Sequence, residues 1–288
     1  MRRLRVSGTE MKVHVVREAG FCFGVKRAIR LASDAAKSKA GKAYTLGPLI
    51  HNPQVVEDLE DKGVHAVKDI RRNRKGTLII RSHGVHPRVL ERIRTKGIKV
   101  VDATCPFVKK AQRMAALLHD QGYQVAVVGE ADHPEVQGIV GYAGNSALVI
   151  NHNRMKKSFP HFRRLGVVAQ TTLSIDAFRQ VIGKLIEKTE ELRVCNTICD
   201  ATARTQKATL KLAARVDMMI VVGGHNSANT TRLAKLCKDL GAPTHHVETA
   251  GELRKAWFEG KKSVGVTSGT STPEWLIKQV VERIKSLN

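Results

Sequence analysis

The chain has 288 residues, 42% of them hydrophobic, enough to bury two or three cores. No apolar run approaches the length of a membrane span, and no apolar stretch follows the basic start Met1-Arg2-Arg3-Leu4-Arg5, which argues against a membrane protein and against a secretory signal. The formal net charge of +23 would suit nucleic acid, but aromatic residues are only 4% and none of the standard motifs is present; a solvated basic surface with an acidic protein partner and an anionic substrate is the better reading.

Residues 1–10 read as a loose tail, with Met11 as an alternative start. Beyond it, strand-like runs at 13–16, 77–80, 98–101, 123–128, 167–169, 218–222 and 263–267 alternate with helical periodicities such as Val25/Ala28/Ile29/Ala32 and Phe107/Ala111/Met114/Leu118. Alternation of this kind predicts an α/β fold with mostly parallel sheets. Pro106 and Pro273 fit first helical positions, and Gly41, Gly63, Gly97, Gly122 and Gly241 fall where helices should stop. Boundaries are expected near residues 104 and 196, giving pieces 11–104, 105–195 and 196–288, because one local pattern restarts just beyond each.

That pattern is a cysteine after a strand-like run, opening a basic amphipathic helix: Cys22-Phe23-Gly24-Val25-Lys26-Arg27, Cys105-Pro106-Phe107-Val108-Lys109-Lys110 and Cys199-Asp200-Ala201-Thr202-Ala203-Arg204. Asp-Ala-Thr precedes Cys105 and follows Cys199. Three similar units, each with one thiol at a helix N-terminus, suggest a pseudo-threefold site where three thiolates converge. Helix N-termini and nearby Lys/Arg are expected to lower the thiol pKa values. Three thiolates on one iron–sulfur cluster would leave one iron open for substrate. Of the five cysteines, Cys195 is assigned to a strand and Cys237 to a helix core; the odd, thinly spread set points to reduced thiols in the cytoplasm. Zinc is a rival, yet no C-x-x-C or H-x-x-x-H is present.

Histidines follow strand-like runs at His51-Asn52-Pro53, Ser82-His83-Gly84-Val85 and His133-Pro134-Glu135-Val136, where imidazoles can donate hydrogen bonds to phosphate oxygens; His86-Pro87 reads as a helix cap. Glu135 is either a first-turn acid favoured by the helix dipole or a general acid, if burial raises its pKa. Gln170-Thr171-Thr172-Leu173-Ser174 reads as a strand end leading into a helix capped by Ser174. Gly223-Gly224-His225-Asn226-Ser227-Ala228-Asn229-Thr230 and Gly269-Thr270-Ser271-Thr272-Pro273 are candidate anion cradles, and neither is a nucleotide motif.

Gly20-Phe21-Cys22-Phe23-Gly24-Val25, His51-Asn52, Ser82-His83-Gly84-Val85, Asp102-Ala103-Thr104-Cys105-Pro106, His133-Pro134-Glu135-Val136, Gln170-Thr171-Thr172-Leu173-Ser174 and Asn226-Ser227-Ala228-Asn229 together resemble the 4-hydroxy-3-methylbut-2-enyl diphosphate reductases of the methylerythritol phosphate route, from about Met11 to the C-terminus. The resemblance implies a trefoil of three α/β domains around a [4Fe-4S] cluster ligated by Cys22, Cys105 and Cys199. It implies a diphosphate shell of His51, His83, His133, Ser227, Asn229 and Ser271, and a proton relay through Thr171 and Glu135. A ferredoxin or flavodoxin would be the acidic electron donor, and the small-molecule partner an allylic diphosphate. Ala228 stands where some members have a second serine, and Thr205 where many have arginine. The competing expectations are a zinc-dependent hydrolase of a phosphorylated small molecule and a basic nucleic-acid-binding module.

Overall fold

The computed structural model describes residues 11–37, 42–68, 76–155 and 158–287. The expected tail at 1–10, the helix stop at Gly41 and most of the basic run 68–75 lie outside the described residues. After a first strand β1 (Lys12–Val15), one order of elements repeats. Its first pass is α1 (Phe23–Lys37), β2 (Ala43–Leu46), α2 (Pro53–Asp61), β3 (Val64–Val67), β4 (Thr77–Ile80), α3 (Pro87–Thr95) and β5 (Lys99–Asp102). The second is α4 (Pro106–Asp120), β6 (Gln124–Val128), α5 (Pro134–Tyr142), β7 (Leu148–Ile150), β8 (Phe162–Ala169), α6 (Ile175–Ile186) and β9 (Thr189–Cys195). The third is α7 (Asp200–Ala213), β10 (Met218–Val222), α8 (Ala228–Asp239), β11 (Thr244–Val247), β12 (Ser263–Ser268) and α9 (Glu274–Ser286), with no closing strand.

The strands form three four-stranded sheets, β3-β2-β4-β5, β7-β6-β8-β9 and β11-β10-β12-β1, and every pairing in them is parallel. The α/β class with parallel sheets is as expected. The strand before Cys22 is placed differently from the piece 11–104 read off the sequence. β1 pairs with β12, Lys12 opposite Ser263 and Val15 opposite Val266, so the strand before Cys22 completes the third sheet rather than belonging to a piece 11–104. The physical reason is that the third pass ends on a helix and leaves the free edge of β12 unpaired unless the chain start fills it.

Among the described residues two compact units result: one takes 11–21 and 204–287, the other spans Cys22–Ala203. In each sheet the inner strands are buried on both faces, as parallel strands under helices must be; β4 (Thr-Leu-Ile-Ile) and β10 (Met-Met-Ile-Val-Val) have no exposed residue. Helix α4 lies close on β8 because Gly166 leaves room for Leu118, whose Cδ2 would be 2.7 Å from a Cβ at position 166. Leu118→Ala is therefore expected to cost about 2–5 kcal/mol, read as a lower denaturant midpoint with an unchanged slope.

Helix boundaries follow their capping chemistry. Asn52 caps α2 by accepting the Val55 N–H (3.0 Å), and Ser174 caps α6 by accepting that of Ala177 (3.3 Å). Gly63, Gly97, Gly122 and Gly241 all sit at positive φ just past helix ends, where a side chain would be strained. Pro273 is not the first helical residue of α9 but its N-cap, with an extended ψ of 153°, so that helix starts one residue later than expected.

Candidate active site

Cys22, Cys105 and Cys199 all fall in the unit 22–203, and all are free thiols. Each carbonyl accepts the first bond of its helix, from Lys26, Lys109 and Ala203 at 3.0, 3.0 and 2.9 Å, so the three occupy the same N-cap position. Gly24, in the first turn of α1, lies against two of them: a Cβ there would meet Cys105 Sγ at 2.5 Å and Cys22 Sγ at 3.9 Å.

The expected lowering of the thiol pKa values is not what the surroundings produce at Cys105 and Cys199. Burial pushes Cys105 up to about 11, the N–H groups of Phe107 and Val108 oppose it, and Cys22 and Cys199 push the same way as burial. Cys199 is likewise raised, by burial first, with Thr202 and Ala201 amides opposing. Desolvation outweighs the helix ends. The mutual repulsion is itself a sign of convergence, since like groups feel one another only at short range. A bound metal reverses the balance, because a coordinating thiol is deprotonated outright. One zinc ion would hold three sulfurs about 3.8 Å apart. Among the described residues, however, the only three candidate ligand atoms within 4.8 Å of one another belong to histidines. The cysteines thus fit a larger, polynuclear group better than a single ion.

Those histidines are His51, His83 and His133, from the loops after β2, β4 and β6; their ring centroids lie 4.2, 5.4 and 5.6 Å apart. Parallel α/β folds bind ligands at this carboxyl end of the strands. His51 is held at about 4 by burial and then by the Arg81 guanidinium; His83 is also well below the usual imidazole range, through burial and then its neighbours His51, His133 and Arg81. The Nδ1 of His133 accepts the Glu135 N–H at 3.2 Å, which places the proton of its neutral ring on Nε2. That nitrogen then donates instead of ligating, which suits an anion and not zinc. His86 is a cap, as expected: its Nδ1 accepts the Arg88 N–H (3.2 Å) and its Nε2 meets Asn145 Oδ1 (2.6 Å).

Glu135, two residues past His133, is only 2% exposed. Thr171 grips both its carboxyl oxygens: the N–H donates to Oε1 at 2.6 Å and the hydroxyl to Oε2 at 2.8 Å. Both bonds favour the carboxylate, yet burial dominates and raises the pKa to about 7. The expectation of a raised pKa therefore holds over that of a plain first-turn acid. The same Thr171 accepts the Cys199 N–H on its carbonyl at 2.9 Å, linking the acid to a cysteine through one residue.

Ser82 makes the matching link in the first pass, a role the sequence did not reveal. Its N–H and hydroxyl both donate to Leu49 O (3.2 and 3.0 Å), two residues before His51, and its carbonyl accepts the Cys105 N–H at 2.9 Å. One buried serine thus joins the His51 loop, His83 and a cysteine. Ser82→Ala leaves the backbone bonds in place and should raise KM about fivefold, the equivalent of ~1 kcal/mol, with kcat and iron content unchanged. A change in kcat alone would count against this role.

Ser227, Asn229 and Ser271 lie in the other unit. They sit at corresponding strand ends: Ser227 caps α8 after β10, accepting the Thr230 N–H (3.4 Å), and Ser271 follows β12. Asn229 is buried; its Nδ2 donates to Thr270 Oγ1 (3.4 Å), while its Oδ1 has no partner among the described residues. Gly223 has φ +138°, and a Cβ there would strike Thr272 Oγ1, so the cradle after β10 requires glycine. Of the two departures, Thr205 is buried and its hydroxyl donates to Glu18 O (3.4 Å), and Ala228 begins α8.

A model of the LytB protein family matches residues 13–285. The chain belongs to the LytB family. Among its relatives, the 4-hydroxy-3-methylbut-2-enyl diphosphate reductase of Geotalea uraniireducens is 53% identical over 278 residues, 96% of this chain and 98% of that protein. The protein of the same name from Geobacter sulfurreducens is 51% identical with the same coverage. A solved structure of (E)-4-hydroxy-3-methyl-but-2-enyl diphosphate reductase, the terminal enzyme of the non-mevalonate pathway, is 43% identical with a TM-score of 0.69, covering 96% of this chain and 99% of that one. The E-1-hydroxy-2-methyl-but-2-enyl-4-diphosphate reductase of Plasmodium falciparum is 28% identical with a TM-score of 0.89, covering 95% and 87%. This LytB chain is thus similar along nearly its whole length to reductases of one allylic diphosphate.

Proposed function

We propose that the chain reduces 4-hydroxy-3-methylbut-2-enyl diphosphate, with loss of water, to isopentenyl and dimethylallyl diphosphates. The single observation that carries this reading is Glu135, an acid buried beside the imidazole trio, gripped by Thr171 and raised to about 7. Neither the hydrolase nor the nucleic-acid reading needs a half-protonated carboxyl one residue away from a cysteine ligand.

Cys22, Cys105 and Cys199 are proposed as ligands of a [4Fe-4S] cluster; three converging sulfurs, a glycine at position 24 beside two of them and a spacing too wide for one ion are what such a group needs. When bound, the cluster supplies electrons singly and offers one iron without a protein ligand as a Lewis acid. The chain's own residues do the rest. His51, His83 and His133 donate N–H groups to the diphosphate, with Ser227, Asn229 and Ser271 as further donors by resemblance to the family. Thr171 orients the allylic hydroxyl, and Glu135 gives the proton that lets it depart as water. Two electrons and two protons balance the reaction.

The reductant is proposed to be a small acidic protein, a ferredoxin or flavodoxin, attracted by the net charge of +23. No helix among the described residues is long and apolar enough to cross a membrane, and five free cysteines suit the reducing cytoplasm. The test is oxidation of reduced methyl viologen by anaerobically purified brown protein. Oxidation that depends on 4-hydroxy-3-methylbut-2-enyl diphosphate is expected; its absence from cluster-loaded protein would overturn the reading.

A further inference from the structure

Arg81 directly follows β4, an inner strand of the first sheet, and stands next to the serine that ties His51, His83 and Cys105 together. Its guanidinium packs against Gly47, in the loop that leads to His51: a Cβ at position 47 would stand 2.8 Å from Arg81 Nη1. Gly47 holds φ +74°, so the chain there is shaped to leave that space open. The side chain is half-buried, and its Nε is buried without a hydrogen-bond partner among the described residues. No ion pair among those residues involves Arg81. A desolvated cation with no carboxylate beside it costs stability, and proteins retain such groups where an anion arrives to meet them.

The imidazole trio supplies the reason. His51 and His83 are both neutral near pH 7, so they offer N–H dipoles but no charge. A diphosphate carries two or three negative charges, and dipoles alone leave that charge uncompensated in a desolvated site. Arg81 is the cation that both histidines feel. Guanidinium also stays protonated when burial lowers its pKa, which an imidazole in the same place does not.

We infer that Arg81 is the fixed counter-charge of the site, a substrate-binding residue that holds the diphosphate electrostatically beside His51 and His83. This rests on the reading of the trio as the diphosphate shell, so the experiment must let either fail alone. Calorimetric titration of the cluster-loaded enzyme with inorganic diphosphate, at several salt concentrations, does so for wild type, Arg81→Met, Arg81→Lys and His83→Ala. Arg81→Met is expected to weaken diphosphate binding and raise the substrate KM about ten- to a hundredfold, with a shallower salt dependence and kcat within threefold. Arg81→Lys should recover most of the loss, because it restores the charge without the fork. If His83→Ala weakens binding and Arg81→Met does not, the counter-charge assignment fails and the shell stands. If neither matters, the shell reading fails with it. A lower kcat for Arg81→Met at unchanged diphosphate affinity would make Arg81 merely structural and would also overturn the inference.

Discussion

Glu135→Gln is expected to keep its cluster and lose turnover by about a hundred- to ten-thousandfold, the usual worth of a positioned proton donor. Glutamine preserves the shape: its Oε1 can still accept the Thr171 N–H, at 2.6 Å in the native chain, and its Nε2 can donate to the Thr171 hydroxyl that donates at 2.8 Å to Glu135, but it has no acidic proton to give. The pH dependence follows from the sign of the shift. Burial raises Glu135 to about 7, so the donor form is present below that pH and is lost above it. Wild-type kcat should fall about tenfold per pH unit on the alkaline side, and the residual activity of Glu135→Gln should lack that limb. Stability moves with the same group: its folded pKa lies above the unfolded value of 4.5, so its contribution is full below 4.5 and is lost as pH rises through about 7. Thermal melts of the two proteins between pH 5 and 8 should therefore diverge in favour of glutamine as pH rises. A kcat profile identical in both proteins would remove Glu135 from the proton path.

Gly24→Ala should abolish most iron binding while leaving the fold standing. The added methyl would lie 2.5 Å from Cys105 Sγ, closer than real contacts come, while its 3.4 Å to the Cβ is ordinary contact, so the sulfur must turn away. Gly24 is helical, so no backbone strain confuses the result; the alanine is if anything a better helix former. Iron and sulfide per chain should drop several-fold with an unchanged far-ultraviolet circular dichroism spectrum. Gly183→Ala is the matched control, since a Cβ there meets nothing within 4 Å of it. It should load iron normally and be neutral or slightly stabilising. Full iron content in Gly24→Ala would mean that Cys105 does not point where the cluster is proposed to sit.

The parts of the fold that were legible in sequence are the parts buried on both faces. Thr77–Ile80 and Met218–Val222 announce themselves as uninterrupted apolar runs because helices cover them above and below. The strands that went unread are short or lie towards sheet edges: Val64–Val67 and Thr244–Val247 carry histidines, and Thr189–Cys195 is mostly exposed along its length. Placement of β1 was unreadable for another reason, since pairing between residues 12 and 263 leaves no local trace. The site divides the same way. The repeated cysteine context and the imidazole loops are local patterns, and they were read. Ser82 acts through Leu49, 33 residues away in sequence, and through Cys105, and Arg81 packs on Gly47 from another loop, while the pKa of Cys105 depends on burial that only the folded chain reveals.

The closure of the third sheet by β1 also sets a timetable for biosynthesis. β1 leaves the ribosome first, but its partner β12 begins at Ser263. At roughly 5–20 residues per second, that strand waits about ten to fifty seconds before its hydrogen bonds can be made. The intervening unit 22–203 meanwhile has both its sheets in hand and can form with only local partners. Assembly is therefore staggered: a translation arrest between residues 203 and 263 would release a chain with one finished unit and one exposed, unpaired edge, the species on which proteases and chaperones would act.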